Sequence, residues 1–468
     1  MQEIEENEVA DMVIELPKQV KQIIDTLQAH GYEAYAVGGC VRDAMLGRAP
    51  QDWDITTSAL PMQVKALFRR TVDTGIQHGT VTVLLDKQGF EVTTYRVDGK
   101  YEDGRHPTEV SFTASLAEDL KRRDFTINAM AYNETDGLVD LFCGEEDLKE
   151  GIIRCVGVAK ERFSEDALRI LRAFRFSAQL DFSIEEETLQ AAKDLADTLK
   201  KISAERIYAE LSKLLVSDHP ERLFEAYECG ITAVILPEFD RMWETDQNHP
   251  AHYAKVGLHV LDTVRKTGKP ATYAEETGYL PEEFRCLRLA ALFHDVGKPE
   301  CRHTDEEGVD HFYGHAEKGA ELSKKILRRL KADNATIDTV FRLVKWHDYP
   351  LVPEERALRR AMHKIGSDLF PLLLELRQAD LEAHAEPYRT EGPATLQKVW
   401  QVFLEIKKRK ECTSLKELAI NGSDLISAGY TPGKELGAVL ERLLLFVIEE
   451  PKKNTKEELL KEAELYKK

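Results

Sequence analysis

The sequence predicts an α+β protein, in which a sheet-bearing head at the N-terminal end precedes a long all-α body. Two observations predict this class. Short segments of alternating apolar and polar residues, separated by turn residues, recur up to about residue 155. From there onward the apolar residues recur at helical spacing, interrupted by Pro and Gly. We therefore expect strands in the first third of the chain and helices in the rest.

The composition predicts a cytoplasmic protein of several domains with no membrane partner. The chain has 468 residues, of which 43% are hydrophobic and 31% charged. No apolar run is long enough to span a bilayer, and the N-terminus lacks the apolar core of a signal peptide. The seven cysteines are scattered without a CxxC pair, which is typical of free thiols. The net charge of −19 argues against a uniformly basic surface but permits a local basic groove.

The first elements of the head follow from residues 15–59. Residues 15–31 have apolar side chains at helical spacing and end at Gly31, a residue favoured just after a helix. Residues 32–39 predict a strand that runs into a glycine pair. A short helix is expected at 41–47 and a second strand at 53–59.

Three more strands complete the predicted sheet. The segments TVTVLLD and FEVTTYRV alternate well, and the DKQG turn between them predicts a hairpin. LVDLFCG predicts the fifth strand. After about residue 155 we expect no further strands, because residues 164–180 and 202–215 are strongly amphipathic helices.

Two aspartates next to the second predicted strand are the first candidates for chemistry. We expect Asp52 and Asp54, at positions i and i+2 of that strand, to point to the same face. Two carboxylates this close are costly unless a cation binds between them, and Mg²⁺ prefers such oxygen ligands. Glu91 on the neighbouring predicted strand offers a third carboxylate. An isolated Asp-x-Asp is more often a surface pair beside an ordinary turn.

The glycine turn before this strand supplies the parts of a phosphate site. Gly38 and Gly39 allow the backbone to approach a phosphate closely, beside the start of a helix. Arg42 adds a charge-assisted contact. Together with the aspartate pair, these residues predict a site for a Mg-bound nucleoside triphosphate.

The order of the motifs resembles the nucleotidyltransferase superfamily, and more specifically the bacterial class II tRNA nucleotidyltransferases, which include CCA-adding enzymes and poly(A) polymerases. After the glycine and Asp-x-Asp motifs come KRRDFTINAMAYN, DLFCGEEDL, EDALRILRAFRF and ERIYAEL. The residues that match the family's nucleotide-binding motifs are Gly38, Gly39, Arg42, Asp43, Arg122, Arg123, Asp124, Asn128, Glu165, Asp166, Arg169 and Arg172.

The resemblance implies a polymerase-β-like head that adds C, C and A from CTP and ATP to the 3′ end of tRNA. It implies catalysis by Asp52, Asp54 and Glu91, with the two aspartates holding Mg²⁺. It also implies that Asp124 faces a ribose hydroxyl while the neighbouring arginines face phosphates. An aspartate before an apolar run is also a good helix N-cap, so Asp124 has a structural alternative.

The EDALR stretch carries the implied device for choosing the base. Asp166 and Arg169 are three apart, hence neighbours if they share a helix face. The resemblance implies that this pair acts as an amino-acid template, because a carboxylate and a guanidinium can match the edges of cytosine and adenine. The structural alternative is a surface ion pair between the same two side chains.

The polar segment 96–112 helps to decide which nucleotides the protein would add. The resemblance places a flexible loop there, which is required for addition of the final A, and the structural alternative is a disordered surface loop. Its presence argues against a CC-only enzyme but does not separate CCA addition from A addition alone. Two further functions are alternatives to CCA addition. One is a poly(A) polymerase, and the other is an HD phosphohydrolase whose head only binds nucleotide.

A second constellation downstream resembles the HD domain. Its residues are His259, His294, Asp295, His315, His347 and Asp380. Histidine and carboxylate on packed helices can hold a divalent transition metal. A lone helical histidine is usually just packed or exposed, whereas six ligand-type residues in this order point to a metal site. The resemblance implies phosphohydrolase or phosphodiesterase activity and does not name its substrate.

These patterns together predict four domains. We expect a nucleotidyltransferase head at 1–155 and a helical neck with the nucleotide-selecting template at 156–235. An HD domain is expected at 236–390 and a helical, tRNA-binding tail at 391–468. The sequence does not predict the oligomeric state.

Overall fold

The computed structural model describes residues 13–98, 110–248, 255–268, 271–274, 278–386 and 388–467. The chain divides into two compact units, an N-terminal unit of residues 1–235 and a C-terminal unit of residues 236–468. Most of the predicted loop at 96–112 lies outside the described residues, which end at 98 and resume at 110. No helix of the described chain is long and apolar enough to cross a membrane.

The N-terminal unit contains all the strands of the main sheet. Its strands are β1 Ala34–Val37, β2 Ile55–Thr57, β3 Thr71–Gly75, β4 Thr80–Leu85, β5 Gln88–Thr94, β6 Arg96–Asp98, β7 Val110–Phe112, β8 Met130–Asn133, β9 Gly137–Asp140, β10 Ile152–Ile153 and β11 Ser183–Ile184. Its helices are α1 Lys18–Ala29, α2 Gly39–Met45, α3 Pro61–Leu67, α4 Leu116–Lys121, α5 Gly144–Glu150, α6 Ala159–Glu165, α7 Leu168–Leu180, α8 Glu186–Asp194, α9 Ala204–Leu215, α10 Leu223–Glu228 and α11 Ile231–Ile235.

The main sheet has seven strands in the order β3-β4-β5-β2-β1-β8-β9. β2 and β5 run parallel, and the other neighbours are antiparallel. The parallel pair places Ile55 opposite Val92, so the segment before β2 lies beside the middle of β5, and these two strands are neighbours in the centre of the sheet. Asp86 and Lys87 have φ of 50° and 67°, which is the left-handed backbone that a two-residue hairpin turn requires.

The first predicted helix shows how the head packs. Val20, Ile23, Ile24 and Leu27 of α1 are all buried, as their helical spacing predicts, and α1 contacts β1. Gly31 has φ of 81° just after the helix ends, in agreement with its expected role.

The described part of the C-terminal unit is helical apart from one small hairpin. Its helices are α12 Pro237–Glu244, α13 Val256–Lys266, α14 Pro281–Phe293, α15 Lys298–Cys301, α16 His315–Arg329, α17 Asn334–Trp346, α18 Glu355–Ile365, α19 Phe370–Glu382, α20 Tyr388–Lys408, α21 Gly422–Ser427, α22 Lys434–Glu449 and α23 Lys456–Glu464. The hairpin consists of β12 His303–Thr304 and β13 Asp310–His311.

The predicted α+β class, with a sheet head and a helical body, is confirmed. Some details differ. β3, β7, β8 and β10 were not predicted as strands, and β11, β12 and β13 lie beyond residue 155, where no strand was expected. β11, β12 and β13 are each two residues long, which is too short for a pattern of alternating apolar and polar residues to predict them.

Two candidate site segments also differ from the prediction. Asp52 and Asp54 are not on a strand, because β2 begins one residue after Asp54. Asp166 does not share a helix with Arg169, because it lies in the break between α6 and α7. The apolar periodicity continues across this break, so the sequence conceals it.

Candidate active site

The glycine pair forms a tight turn between β1 and α2. Gly38 has φ of 82°, a left-handed conformation that favours glycine. A Cβ at this position would lie 2.8 Å from Nη1 of Arg123. Because Gly38 has no side chain, there is room for the Arg123 guanidinium against the turn. Gly39 opens α2 and has Nη2 of Arg42 beside it. The predicted glycines and arginines therefore do meet.

The three predicted carboxylates line one cavity. Asp52, Asp54 and Glu91 line a cavity of about 810 Å³. Asp54 is anchored because its carbonyl accepts a hydrogen bond from the Val37 amide at 3.0 Å, which extends the β1–β2 pairing. The three acids are thereby brought together without their being on one strand.

The electrostatics of this cavity favour a cation. Burial raises the pKa of Asp54, the Arg123 guanidinium opposes this, and nearby Asp52 adds to it. Burial also raises the pKa of Glu91, followed by the charges of Asp54 and Asp52. A divalent cation with a preference for oxygen ligands would relieve this repulsion, so the donor set fits Mg²⁺.

A network of hydrogen bonds links five predicted nucleotide-binding residues. Arg42 Nη1 donates to Asn128 Oδ1 at 2.6 Å, and Asn128 Nδ2 donates to Asp124 Oδ1 at 3.1 Å. Arg172 Nε donates to Asp124 Oδ2 at 2.7 Å. Asp43 also accepts from Arg42, at 2.7 and 2.9 Å. The network joins α2, the segment before β8, and α7.

Asp124 is the centre of this network rather than a helix cap. Burial alone would raise its pKa, but Arg172 and the Asn128 amide lower the pKa to about 2. The short 3₁₀ helix that follows begins after Phe125 and has no side-chain cap. The carboxylate of Asp124 is therefore ionised, and Arg172 of α7 holds it in place.

A buried acid that the sequence reasoning missed holds the two neighbouring arginines. Asp119 is fully buried, and its Oδ1 accepts from Arg122 Nη2 at 2.8 Å. Arg123 Nη2 lies 3.5 Å from its Oδ2, which also accepts from Thr56 Oγ1 at 3.2 Å. The spacings of three and four residues on a helix were the available signal.

Each residue of the predicted template pair is held by a different neighbour. Arg169 Nη1 donates to Glu165 Oε2 at 2.5 Å, and Arg169 Nη2 donates to the Arg122 carbonyl at 3.2 Å. Asp166 instead accepts from Arg206 of α9, at 2.6 and 3.3 Å. The structural alternative, a surface ion pair between Asp166 and Arg169, is therefore not formed. Each side chain is oriented by its own partner.

The six predicted HD residues converge in the C-terminal unit. Nε2 of His259 and Nε2 of His294 are 3.4 Å apart, and those of His315 and His347 are 3.2 Å apart. Asp380 Oδ1 lies 2.9 Å from His259 Nε2. Three overlapping groups of possible metal ligands occur among the described residues, and they also include His384, which the sequence reasoning did not select.

Asp295 lies between the two histidine pairs. Its Oδ2 is 3.3 Å from His294 Nε2, and its Oδ1 is 3.6 Å from His315 Nε2. The side chain is 1% exposed, and within the described part of the chain its Oδ1 accepts no hydrogen bond. A buried carboxylate oxygen without a donor, facing imidazole nitrogens, is the arrangement that a metal ion satisfies.

Backbone carbonyls fix the histidine rings. Nδ1 lies 2.8 Å from the Ala291 carbonyl in His294, 2.8 Å from the Phe312 carbonyl in His315 and 2.7 Å from the Val344 carbonyl in His347. A proton held on Nδ1 leaves Nε2 free as a ligand. Burial, followed by the charges of His294 and His315, lowers the pKa of His347 to about 3, so this ring is neutral.

Family models match three successive stretches of the chain. Residues 34–154 match the poly(A) polymerase head domain. Residues 181–242 match an RNA- and SrmB-binding site of polymerase A, and residues 305–463 match tRNA nucleotidyltransferase domain 2.

Curated relatives decide the family. The CCA-adding enzyme of Lactobacillus helveticus is 36% identical over 442 residues, which cover 94% of this chain and 95% of that protein. The chain belongs to the CCA-adding enzyme family. A member from Enterococcus faecalis is 35% identical over 95% of this chain and 94% of its own length. A member from Lactiplantibacillus plantarum is 56% identical, but that match covers 43% of this chain and 49% of the relative, about half its length.

Solved structures of CCA-adding enzymes share the fold. The Bacillus stearothermophilus CCA-adding enzyme in complex with CTP is 30% identical with a TM-score of 0.69, covering 97% of this chain and 99% of that chain. The Thermotoga maritima CCA-adding enzyme complexed with tRNA is 23% identical with a TM-score of 0.57, covering 97% and 96%. The second likeness concerns the fold alone.

Proposed function

We propose that this chain is a CCA-adding tRNA nucleotidyltransferase that adds C, C and A in turn to the 3′ end of tRNA, from CTP and ATP. The observation that carries the proposal is the cavity shared by Asp52, Asp54 and Glu91, beside the arginine-bearing turn at Gly38. Membership of the CCA-adding enzyme family favours this function over addition of A alone and over poly(A) synthesis. Because the proposed substrates are tRNA and nucleoside triphosphates, we expect the protein to act in the cytoplasm.

The acidic cavity is the proposed catalytic centre. Asp52, Asp54 and Glu91 would hold Mg²⁺, which supplies activation of the primer hydroxyl and charge stabilisation of the departing pyrophosphate. Gly38 and Gly39 leave space for the triphosphate along the backbone, and Arg123 lies against that turn. Arg42 and Arg122 add positive charge near it. Asp124, kept ionised by Arg172, can accept a hydrogen bond from a ribose hydroxyl.

Base selection is proposed for the break between α6 and α7. Asp166 and Arg169 offer an acceptor and fixed donors to a base edge. Because Arg206 and Glu165 orient them separately, neither depends on the other for its position. A site with fixed polar partners rejects a wrong edge strongly, since its groups would be left unpaired.

The division of the chain into a head at 1–155, a neck at 156–235, a metal-binding domain at 236–390 and a tail at 391–468 belongs to this proposal. The first two parts would carry the transfer reaction. The tail would contact tRNA, and the match of residues 305–463 to a tRNA nucleotidyltransferase domain supports this.

One assay tests the proposal against its rivals. The protein is incubated with tRNA that ends at the discriminator base, at C or at CC, together with CTP, ATP or both. We expect completion of CCA on all three and no further growth. Extension of the CC-ending tRNA alone would identify an A-adding enzyme, and long runs of A would identify a poly(A) polymerase.

Asp52→Ala tests the catalytic assignment in the same assay. We expect transfer of C and of A to fall together, by at least about a hundredfold, because the cation loses a ligand at the reacting centre. Asp73→Ala is the matched control, because Asp73 is an exposed carboxylate of the head whose described ion pair is with Lys65 at 2.8 Å. Equal activity of the two variants would refute the assignment.

Arg169→Ala tests the base-selecting role. We expect incorporation of the wrong base to rise more than turnover falls, because Arg169 would discriminate between bases and not perform the chemistry. Arg162→Ala is the control, since Arg162 also pairs with Glu165, at 3.1 Å, without being assigned to the template. Unchanged base selectivity in Arg169→Ala would overturn the template assignment.

A second activity, HD-type phosphohydrolysis, is proposed for the histidine cluster. The converging Nε2 atoms and the position of Asp295 favour a site for a divalent transition metal. The metal would activate water for attack on a phosphate ester. A tRNA 3′ end that carries a phosphate is the proposed substrate. With Mn²⁺, Co²⁺ or Ni²⁺ supplied, phosphate release should be lost in His294→Ala and retained in Asp52→Ala. Retention of this activity in His294→Ala would refute the proposal.

A further inference from the structure

The ring of Phe176 is surrounded by three guanidinium groups. The guanidinium carbons of Arg42, Arg172 and Arg175 lie 5.0, 5.3 and 4.1 Å from the ring centroid. All three distances are within the range of a cation–π interaction. Phe176 is 6% exposed, and its ring is also in edge contact with Phe125, at 5.8 Å and 82°. The ring is thus fixed in position and largely removed from water.

Phe176 closes a circuit of contacts through the proposed nucleotide site. From the ring the contacts run to Arg42, then to Asn128 at 2.6 Å, and then to Asp124 at 3.1 Å. Asp124 binds Arg172 at 2.7 Å, and Arg172 returns to the ring. Phe176 is the one member of this circuit that was not selected as a nucleotide-binding residue.

The ring supplies a negative surface that the three guanidinium groups share. Each arginine has its own acid, Asp43 for Arg42, Asp124 for Arg172 and Glu210 for Arg175, whereas the ring is in contact with all three. Burial lowers the pKa of Arg175 to about 10, Glu210 opposes this shift, and the charge of Arg172 adds to it. The face of an aromatic ring carries partial negative charge and can attract several cations at once. An aliphatic side chain of similar size would fill the space without this attraction.

We propose that Phe176 is a positioning residue for nucleotide binding, whose aromatic face holds Arg42 and Arg172 so that Asn128 and Asp124 are presented to the incoming nucleotide. It acts through these residues and does not itself contact the reacting atoms. Because Arg42 and Arg172 serve every addition step, CTP and ATP depend on it equally. The inference rests on the proposed nucleotidyl transfer.

A fluorination series at position 176 tests the proposal in the full-length protein. Incorporation of mono-, di- and trifluorophenylalanine keeps the shape of the ring while it drains negative charge from the face. We expect KM for CTP and for ATP to rise stepwise with the number of fluorines, reaching about three- to thirtyfold, with a smaller change in kcat. A role in packing alone predicts no such graded change.

Substitutions supply the matched comparison. Phe176→Leu should raise KM for both nucleotides. Phe176→Tyr keeps the aromatic ring, so its KM should stay near the wild-type value. Phe174→Leu is the control, because Phe174 is fully buried on the same helix and the change removes the same atoms. We expect Phe174→Leu to lower the melting temperature without raising KM.

The outcomes separate this inference from the proposed function. If the wild-type protein neither binds nor transfers CTP or ATP, the proposed function fails and the inference fails with it. If the wild-type protein is active and KM is flat across the fluorinated series, the inference alone is overturned. A rise for one nucleotide only would also contradict it, because the circuit contains no base-reading residue.

Discussion

At the scale of single residues, the carboxylates around the proposed nucleotide site are of two kinds. Asp54 and Glu91 are exposed side chains of the acidic cavity, and partial desolvation and the repulsion among the acids raise their pKa values. Asp119 and Asp124 are buried, but arginines outweigh the burial and lower their pKa values. An added cation would stabilise the charged forms of Asp54 and Glu91, whereas arginines already stabilise those of Asp119 and Asp124. This difference separates acids that would bind metal from acids that organise the site.

Asp124→Asn should reduce stability in a pH-dependent manner. Its folded-state pKa of about 2 lies below the ordinary value of 3.8, so the ionised group stabilises the fold above about pH 4. This stabilisation is lost as the pH falls from about 4 towards 2. We expect the variant to lose about 2 kcal/mol of unfolding free energy at pH 7, and the difference from wild type to shrink in that acid window.

Urea denaturation at a series of pH values measures this effect. Asp181→Asn is the control, because Asp181 is 55% exposed and its pair with Arg222 is screened by solvent. A gap between wild type and Asp124→Asn that stays constant from pH 7 to pH 2 would show that the ionised form is not what stabilises the fold.

At the scale of elements, the turn from β1 into α2 combines a left-handed glycine backbone with a close contact to an arginine. Only a residue without a Cβ leaves room for Arg123 at Gly38, and glycine also suits the φ of 82° there. Asp119 holds Arg123 from the other side. The turn, α4 and the arginine therefore form one arrangement.

Gly38→Ala should both strain the turn and displace Arg123. We expect a loss of about 1–2 kcal/mol in stability and a raised KM for both nucleotides. Gly47→Ala is a matched control, because Gly47 has φ of 68° and nothing within 4 Å of an added Cβ. It should show a similar loss of stability with KM unchanged. Equal kinetic effects of the two variants would argue against a role for Arg123.

The elements show where sequence reasoning succeeds and where it stops. Helix α1 and the β4–β5 hairpin could be predicted because their burial patterns repeat locally. The break at Asp166 could not, since the apolar pattern continues through it and only the partner Arg206, forty residues away, reveals it. The motif residues were found by their order along the chain.

The residues that sequence reasoning missed are defined by distant contacts. Phe176 looks like an ordinary core residue of an amphipathic helix, and its three arginines become neighbours only in the fold. His384 lies outside the six-residue pattern and joins His259 and Asp380 only through the end of α19. Asp119 left a helical spacing signal that identifies a pair but not its position.

At the scale of the whole molecule, the two units offer candidate cation sites of different chemistry. The cavity of the N-terminal unit offers carboxylate oxygens from Asp52, Asp54 and Glu91. The cluster of the C-terminal unit is rich in imidazole nitrogens. Hard cations prefer the first set and transition metals the second.

Metal removal and selective return should separate the two sites. After chelation, we expect Mg²⁺ to restore nucleotide transfer while leaving the histidine cluster without a tightly bound ion. Added Mn²⁺ or Co²⁺ should bind the cluster, and metal analysis should show the loss of this ion in Asp295→Ala but not in Asp52→Ala. Transition-metal content unaffected by Asp295→Ala would contradict the assignment of the cluster.

The circuit through Arg172 and Phe176 has a practical consequence for anyone who wishes to isolate the smallest working piece of this enzyme. A fragment that stops where the main sheet ends would keep the acidic cavity but lose α7, whose Arg172 binds Asp124. Such a fragment would need to extend at least through α9, whose Glu210 pairs with Arg175 of α7 and whose Arg206 pairs with Asp166 just before α7. The proposed nucleotide site thus extends across the junction that the strand pattern alone would choose as a boundary.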